Sequence, residues 1–310
     1  EDEYVDLDMR HLGEERILDR LENILHLAED FEGVDGLDEP MPVKPGQHYA
    51  MGGVETDENG ETCIDGLYAA GETACVSLHG ANRLGGNALP ELLVFGARAG
   101  HHAAGKDMKT AEIQTGPSAK SEPGDVEPPV DPGAIDASSG DVAADGAAIE
   151  PKAVLESTVE QERQRIEDLI ESDGINHAEV RADVQETMTD NVNVFRTEEG
   201  LEKALRDLRS ARKEYENVAV EDPSRTYNTD LIHTIETRNI LDVAEAITLG
   251  ALAREEFRGA HWRAEHQERK DEEWIKHTML AWNEGQPELY YKPVILEGDE
   301  ETYEPKVRSY

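Results

Sequence analysis

Apolar side chains recur along much of this chain at the three- to four-residue spacing that is typical of amphipathic helices. Near the amino terminus the repeat covers residues 12–28, and Gly33 and Gly36 follow it as helix-stop signals. A second stretch, 89–104, combines apolar with small residues, which predicts a helix that is packed on both sides. Frequent glycines interrupt the helical pattern between these two stretches.

Four more helices are predicted beyond residue 153, where the helical spacing returns. The first begins near Leu155, and residues 180–188 mark the second. Thr197 stands where it can cap the third helix, and Thr229 where it can cap the fourth and longest, which continues to residue 251. Three or four amphipathic helices of this kind favour a bundle.

The region that starts at Pro40 predicts short strands and turns instead. Residues 57–60 are a turn signal in which Gly60 can take a positive φ, and residues 67–70 predict a short buried strand. Near the carboxyl end, residues 274–282 and 289–295 flank an Asn-Glu-Gly turn, which predicts a closing hairpin.

Residues 105–152 differ in composition from the rest of the chain, with many prolines, alanines and glycines and no aromatic residue. Such a segment cannot bury enough apolar surface to offset the entropy of ordering it, so we expect a disordered acidic linker or insert. A structureless segment of this length is unusual inside a compact unit and therefore marks a domain boundary. The predicted division is 1–40, 41–104, this linker, and 153–310.

The charge of the chain is strongly unbalanced, with 69 Asp and Glu against 30 Lys and Arg and a formal net charge of -39. Nucleic-acid binding and adhesion to anionic lipid both require a cationic surface, so we expect neither. No apolar run is long enough to span a membrane, and no direct membrane insertion is predicted. A dense acidic surface stays hydrated in concentrated salt, which favours adaptation to high salt over an ordinary acidic protein.

The two cysteines, Cys63 and Cys75, have no ligand cluster nearby in the sequence. A disulfide framework and a zinc site are therefore not indicated, no metal site is predicted, and the cytosol is the default compartment. The chain begins with Glu1 rather than Met and shows no signal-peptide pattern, so we expect a truncated chain.

Three stretches without Asp or Glu stand out in so acidic a chain, namely 40–54, 73–90 and 92–106. The first contains His48, and the second contains Arg83 together with another histidine. An anionic ligand needs a pocket that is free of competing carboxylates and has donors in fixed geometry. Buried glycine-rich backbone would exclude acids equally well, so both interpretations stay open at this point.

Glu72 follows the predicted strand at 67–70 and is preceded by Gly71. This order of strand, glycine and acid resembles the final FAD-contacting strand of flavoproteins with two dinucleotide-type folds. In those proteins the acid binds a hydroxyl of the ribityl chain. The resemblance implies that Gly71 lets the backbone approach the cofactor closely.

Longer strings carry a more specific resemblance. His-Gly-Ala-Asn-Arg-Leu-Gly-Gly-Asn-Ala-Leu at 79–89 and His-Tyr-Ala-Met-Gly-Gly at 48–53 resemble signatures of the succinate dehydrogenase and fumarate reductase flavoprotein subunit family. Arg-Gly-Ala-His at 258–261 and Asp-Glu-Glu-Trp at 271–274 resemble its carboxyl-terminal motif. The resemblance implies an α+β fold that contains the tail of a capping domain, the C-terminal part of a two-dinucleotide-type FAD domain, a helical bundle domain and a small closing hairpin.

Three positions acquire substrate roles from this resemblance. Arg83 matches an arginine that binds a substrate carboxylate, a task that suits the two parallel donors of a guanidinium. His48 matches a histidine that hydrogen-bonds a substrate carboxylate, and Gly86 matches a small residue whose backbone lines the substrate. We interpret His79 as structural, and the motif at 258–261 as a contact between the helical and flavin domains.

Three further positions acquire FAD roles. Glu72 matches the ribityl-binding acid, and Ala88 and Leu89 match a pair that contacts the flavin through backbone groups at a helix amino terminus. The family usually has Ser where Ala88 stands, so a hydroxyl contact is lost. No GxGxxG phosphate-binding fingerprint occurs, and we expect this chain alone to bind FAD weakly or not at all and to be inactive.

The resemblance implies the C-terminal half of a catalytic subunit that oxidises succinate to fumarate with hydride transfer to FAD. The proton-transfer arginine is expected upstream, so no catalytic residue is assigned here. The implied partners are a dicarboxylate, an iron–sulfur subunit and membrane-anchor subunits, which would hold the protein at the cytoplasmic face of the membrane. An L-aspartate oxidase and a non-catalytic interaction module are the alternatives, and the Gly85-Gly86 pair favours the dehydrogenase over the oxidase.

Overall fold

The computed structural model describes residues 4–44, 46–105, 151–283 and 286–296. These residues combine helices with short strands, as expected for an α+β fold. The helices are α1 (Glu14–Glu32), α2 (Ala88–Ala103), α3 (Pro151–Glu171), α4 (His177–Asn191), α5 (Glu198–Tyr215), α6 (Thr229–Ala253) and α7 (Asp271–Trp274). The strands are β1 (Val5–Leu7), β2 (Met41–Val43), β3 (Val54–Glu55), β4 (Ala74–Cys75), β5 (Lys276–Asn283) and β6 (Gln286–Pro293).

The amino-terminal unit consists of α1 and the antiparallel ladder of β1 with β2. The predicted end of α1 is confirmed at Gly33, whose φ of +68° lets its N–H reach the carbonyls of Ala28 and Glu29. Ile17 and Met41 lie at the centre of a small core between the helix and the ladder. Because Met41 belongs to β2, this unit includes residues on both sides of residue 40.

The glycine-rich region between β2 and α2 consists mostly of turns, together with the short parallel ladder of β3 with β4. The predicted turn is confirmed at Gly60, which has a φ of +78°. The strand predicted at 67–70 is wrong, because only a single bridge forms there, at Tyr68, and Leu67 is 49% exposed. The chain turns into a 3-10 helix at Gly71–Thr73, which leaves no room to extend the bridge into a ladder.

The predicted helix at 89–104 is confirmed as α2, but its packing differs from the prediction. One side lies against the glycine-rich turns, where the Cβ of Ala99 is 2.8 Å from the position of a Cβ added to Gly60. On the other side Leu89 and Leu93 are 69% and 74% exposed. Within the described residues α2 is therefore packed on one side only, since the turns cover a single face.

Helices α4, α5 and α6 pack against one another as a three-helix bundle. Their spacing places one apolar stripe of each helix in a common core, which α3 does not enter. The bundle expected from three or four helices is thus formed by three of them. Its core contains Val180, Val184, Leu208, Ala211, Val218, Leu241 and Ala244.

The caps of α5 and α6 test the predicted helix starts. Thr197 caps α5 as predicted, with its hydroxyl oxygen accepting from Gly200 N. The cap of α6 is Asn228 rather than Thr229, because the Asn228 side chain accepts from Leu231 N at 2.8 Å. The prediction was wrong by one residue, since adjacent Asn and Thr are both good caps and only the backbone decides between them.

The predicted closing hairpin is confirmed by β5 and β6, whose eight residues each pair in register. Residues 284–285 of the predicted turn lie outside the described residues. The hairpin contacts the glycine-rich region at two points. Ser77 Oγ lies 3.0 Å from His277 Nε2, and Lys292 forms an ion pair with Glu55.

The linker predicted at 105–152 falls almost entirely outside the described residues, because 106–150 are not among them. In the ranges that the structure does describe, no helix is both long and apolar enough to cross a bilayer. Those ranges also contain no group of three or more His, Cys, Asp or Glu side chains that could hold a metal ion.

Candidate functional site

Arg83 lies in the loop between β4 and α2 and is the centre of the candidate site. Its guanidinium stacks on the ring of Tyr49, with Cζ 4.6 Å from the ring centroid. Nη1 donates to the carbonyl of Leu84 at 3.1 Å, whereas Nε is buried and has no acceptor among the described residues. A buried N–H without a partner is unfavourable, so this edge of the guanidinium is suited to an acceptor from outside the described chain.

Tyr49, His79 and Glu91 form a cluster beside Arg83, which we call the Glu91 cluster. The Oε2 atom of Glu91 accepts from the Tyr49 hydroxyl at 2.7 Å and lies 2.7 Å from His79 Nε2. The Glu91 and His79 side chains are 2% and 8% exposed. Burial and the hydrogen bond to Glu91 raise the pKa of Tyr49 to about 12, so this hydroxyl stays protonated and remains a donor.

His79 is engaged within the protein, in line with the structural role expected of it. Its ring meets the ring of Tyr49 edge to face, with the centroids 5.4 Å apart. His79 Nδ1 is buried and has no partner among the described residues. Since Nε2 faces a carboxylate, the geometry assigns the proton to Nε2.

Glu72 lies in the 3-10 helix at Gly71–Thr73 and fixes the neighbouring backbone. Its Oε1 accepts from Ala50 N at 2.8 Å, directly after Tyr49. Gly71 has a φ of +80°, and a Cβ there would collide with the side chain of Leu92. Among the described residues, the close approach that Gly71 permits is therefore to α2.

The amino terminus of α2 presents backbone donors that no side chain caps. Asn87 precedes the helix and makes no capping hydrogen bond, so the N–H groups of Ala88 and Leu89 have no intrahelical partner. Gly86 has a φ of +84°, with nothing within 4 Å of the position of an added Cβ. Free N–H groups at a positive helix end beside open space fit the carbonyl edge of a flavin, and these residues therefore fit FAD.

The predicted site residues meet through the segment at 48–50. Tyr49 contacts Arg83, and Ala50 binds Glu72, which brings the predicted substrate and cofactor segments side by side. His48 itself is exposed and makes no hydrogen bond to the described residues. The structure thus connects His48 to Arg83 through Tyr49 and not by a direct hydrogen bond.

A loop from the carboxyl-terminal half reaches the same region. The N–H of Ala260 donates to the carbonyl of Ala81 at 3.0 Å, two residues before Arg83. Gly259 has a φ of +57°, and a Cβ there would lie 2.6 Å from the carbonyl carbon and oxygen of Ala81. The motif at 258–261 therefore contacts the Arg83 loop directly, as expected from the sequence, and requires glycine to do so.

This loop is built around Glu256, which is fully buried. The carboxylate accepts from the guanidinium groups of Arg254 and Arg258 and from Lys270 N. Burial alone would raise the pKa of Glu256, but the hydrogen bonds from Arg258, Lys270 and Arg254 outweigh burial and lower it. A charged carboxylate thus holds the loop together.

Sequence reasoning missed the part that Tyr49 and Glu91 take in the site. Tyr49 was recognised only as one residue of the motif at 48–53 and received no role of its own. A signal for Glu91 was nevertheless available, because it is the single acid that separates the acid-free stretches 73–90 and 92–106. An acid that stands alone in such a region indicates an internal hydrogen-bond partner.

Two protein families match parts of this chain. The FAD binding domain family matches residues 1–89, and the family described as fumarate reductase flavoprotein C-term matches residues 181–310. All six predicted site residues fall within the first match. The first match contains the strings at 48–53 and 79–89, and the second contains those at 258–261 and 271–274.

Similar proteins of known name agree with these matches. The chain is 38% identical over 298 residues to a fumarate reductase flavoprotein subunit of Serratia sp. (strain ATCC 39006), covering 95% of this chain and 44% of that protein. It is 35% identical over 306 residues to a succinate dehydrogenase flavoprotein subunit of Rickettsia bellii (strain RML369-C), covering 95% and 45%. The chain thus spans less than half the length of the curated relatives it matches.

A solved structure of E. coli quinol fumarate reductase is similar in fold as well as in sequence. It aligns with a TM-score of 0.76 and 37% identity, over 94% of this chain and 44% of that chain. The mixed helix and strand architecture described above is therefore shared with a solved protein over nearly all of the chain.

Proposed function

We propose, from the premise that this chain belongs to the succinate dehydrogenase and fumarate reductase flavoprotein family, that it carries the dicarboxylate-binding face of an enzyme that interconverts succinate and fumarate. The predicted family and the predicted cofactor, FAD, are confirmed by the family matches and the named relatives. We propose the activity and the dicarboxylate substrate on this basis. We take the physiological direction to be succinate oxidation.

The observation that carries the proposal is the unsatisfied edge of Arg83. The Nε of Arg83 is buried and has no acceptor among the described residues, and no carboxylate there pairs with this guanidinium although the chain has a net charge of -39. A guanidinium edge offers two parallel donors to one carboxylate, which gives both affinity and direction. His48, next to the ring on which Arg83 stacks, would donate a further hydrogen bond to a carboxylate of the same dicarboxylate.

FAD, when bound, supplies the hydride acceptor for this reaction. The N–H groups of Ala88 and Leu89 would face the carbonyl oxygens of the flavin, and the backbone of Gly86 would line the substrate. Glu72 would bind a ribityl hydroxyl with the oxygen that does not hold Ala50 N. These positions would keep the central carbon–carbon bond of the dicarboxylate close to the flavin, which reduces the entropy lost on reaching the transition state.

The proposal extends to domains and partners. We divide the chain into the end of a capping domain (1–40), the C-terminal part of an FAD domain (41–104), a linker (105–152) and a helical domain with its hairpin (153–310). Both named relatives are called subunits, and the solved relative is a quinol fumarate reductase. The word subunit in these names supports an assembly of several chains, and we propose an iron–sulfur partner and membrane-anchor partners, with this subunit at the cytoplasmic face of the membrane.

The test is Arg83→Lys in the flavoprotein expressed from the complete reading frame that contains this sequence. Lys keeps the positive charge but loses the two parallel donors. We expect kcat/KM for succinate to fall by about 30- to 1000-fold, equivalent to about 2–4 kcal/mol of transition-state binding. Flavin content, measured by absorbance, should stay at the parent value.

Glu72→Ala is the matched variant, because Glu72 is assigned to the cofactor. It should lower flavin content before it lowers turnover per bound flavin. Malonate that binds Arg83→Lys as tightly as the parent would contradict the substrate role of Arg83. Turnover of L-aspartate in place of succinate would support the oxidase, and a parent that binds neither flavin nor dicarboxylate would support the interaction module.

A further inference from the structure

We propose that Tyr49 is a positioning residue for Arg83, and that Glu91 in turn holds Tyr49 in place. The inference rests on the proposed role of Arg83 in dicarboxylate binding. It adds the side chains that set the direction of the guanidinium, and it gives neither of them a contact with the substrate.

The first step is the stack between Arg83 and Tyr49. The guanidinium lies over the Tyr49 ring at 4.6 Å, within the range of a cation–π interaction. The ring covers one side of the guanidinium group. One of the N–H donors of this group is used by the Leu84 carbonyl, and Nε is left buried and available. The ring therefore restricts the orientations in which Arg83 can present its donors.

The second step is the anchor of the Tyr49 ring. Its hydroxyl donates to Glu91 at 2.7 Å, and its edge packs against His79, which also contacts Glu91. Hydrogen bonds to a charged acceptor are stronger than those between neutral groups, and this one is largely shielded from water. A ring that is held at its hydroxyl and along its edge keeps one orientation.

Helix α2 carries Glu91, the residue that holds Tyr49 in place. Glu91 lies in the first turn of α2, as do Ala88 and Leu89, the residues assigned to the flavin. One helix terminus would therefore set both the flavin position and, through Tyr49, the direction of the substrate-binding arginine. In a chain with 69 Asp and Glu, an arginine without such a support would pair readily with other acids.

The first experiment measures the coverage of Arg83 without any ligand. The flavoprotein from the complete reading frame is treated with phenylglyoxal, which modifies accessible arginines, and the rate at Arg83 is followed by mass spectrometry. Tyr49→Leu removes the ring and should raise this rate about 3- to 30-fold, the range expected for losing a cation–π contact. Tyr49→Phe keeps the ring but loses the anchor, and should give an intermediate rate.

The second experiment is a double-mutant cycle on malonate affinity. Tyr49→Leu should weaken malonate binding by about 3- to 30-fold when Arg83 is present, and by less than about 2-fold in an Arg83→Gln background. Trp282→Leu is the control, because Trp282 supports Arg212 in the same kind of stack at 5.4 Å. It should leave both malonate affinity and the modification rate of Arg83 unchanged.

The outcomes separate this inference from the proposed function. Equal modification rates at Arg83 in the parent and Tyr49→Leu would overturn the positioning role, whether or not malonate binds. An undiminished effect of Tyr49→Leu in the Arg83→Gln background would also overturn it, since Tyr49 would then act through another residue. Equal rates for the parent and Tyr49→Phe would remove Glu91 from the proposal. A parent that does not bind malonate would contradict the proposed function instead.

Discussion

At the scale of single residues, His261 shows how neighbouring groups hold a side chain in one protonation state. Its Nε2 donates to the carbonyl of Arg254 at 3.0 Å, and its Nδ1 lies 3.3 Å from Arg196 Nη1, from which it accepts. Burial, together with the cations of Arg196, Arg254 and Arg263, lowers the pKa of His261 to about 4, although the hydrogen bond to the Arg254 carbonyl acts in the opposite direction. A second proton would have to enter against a guanidinium.

This pKa predicts how the free energy of unfolding depends on pH. The unfolded chain takes up the proton near the ordinary histidine pKa of 6.5, and the folded chain only near 4. The stability that this group contributes is therefore complete above pH 6.5 and is lost as the pH falls toward 4. After allowing for partial exposure, the loss amounts to about 2 kcal/mol.

Urea unfolding of the parent and of His261→Gln at pH 7.5, 6 and 5 checks this prediction. The variant retains every carboxylate, so the difference between the two curves isolates the histidine. That difference should shrink as the pH falls, because the parent alone loses the contribution of a neutral His261. If the difference in unfolding free energy between the parent and His261→Gln is the same at all three pH values, His261 titrates alike in the folded and unfolded chains.

The residues of the candidate site could be predicted from sequence only where a string carried them. Arg83 and His48 belong to long strings whose residue types and spacing are specific, whereas Glu72 was indicated by the shorter order of strand, glycine and acid. The link between them was not predictable in the same way, since the Tyr49 hydroxyl bonds to Glu91, 42 residues further along the chain. A contact over that separation depends on how the loop and α2 pack, which local patterns do not record.

At the scale of elements, helices were predicted well because their signal is local. The apolar spacing of α5 and α6 and the stop at Gly33 are properties of the helix itself. The strand at 67–70 was wrong because a strand depends on a partner elsewhere in the chain, and Tyr68 finds one for a single bridge only. The predicted packing of α2 on both sides was wrong for the same reason, because the exposure of a helix face depends on which other parts of the molecule cover it.

The start of α6 gives an element-scale prediction. Asn228 is 6% exposed, caps Leu231 N, and donates through Nδ2 to the carbonyls of Asp222 and Ser224. Asn228→Ala should therefore lower the free energy of unfolding by about 1–2 kcal/mol. Thr229→Ala is the control, because Thr229 is exposed and provides no cap, and it should change stability by less than about 0.5 kcal/mol.

Thermal and urea unfolding of both variants provides the measurement. A loss of stability in Thr229→Ala as large as in Asn228→Ala would mean that the helix starts one residue later than the structure has it.

At the scale of the whole molecule, repulsion between acidic side chains has the largest effect on the stability of the compact state. With a net charge of -39, repulsion between acids acts over distances much longer than a hydrogen bond. In dilute buffer of about 0.01 M ionic strength the Debye length is about 30 Å, whereas in 1 M salt it is about 3 Å. Screening thus removes most of the repulsion that opposes a compact state.

We expect helix content and melting temperature, followed by circular dichroism, to rise together between low and multimolar KCl. Sucrose at matched osmolality is the control, because it stabilises compact states without screening charge. A flat response to KCl, or an equal response to sucrose, would contradict adaptation to high salt and leave an ordinary acidic protein.

The contacts between the closing hairpin and the glycine-rich region bear on the order of events during biosynthesis. Ser77 contacts His277, which lies 200 residues further along the chain, and Glu55 pairs with Lys292, which lies 237 residues further along. The ribosome synthesises the Arg83 loop long before β5 and β6, and contacts of such separation form slowly. The loop that holds Arg83 therefore reaches its final surroundings only after β6 has been synthesised. A nascent chain that stalls before residue 276 would present an unfinished site to chaperones and proteases.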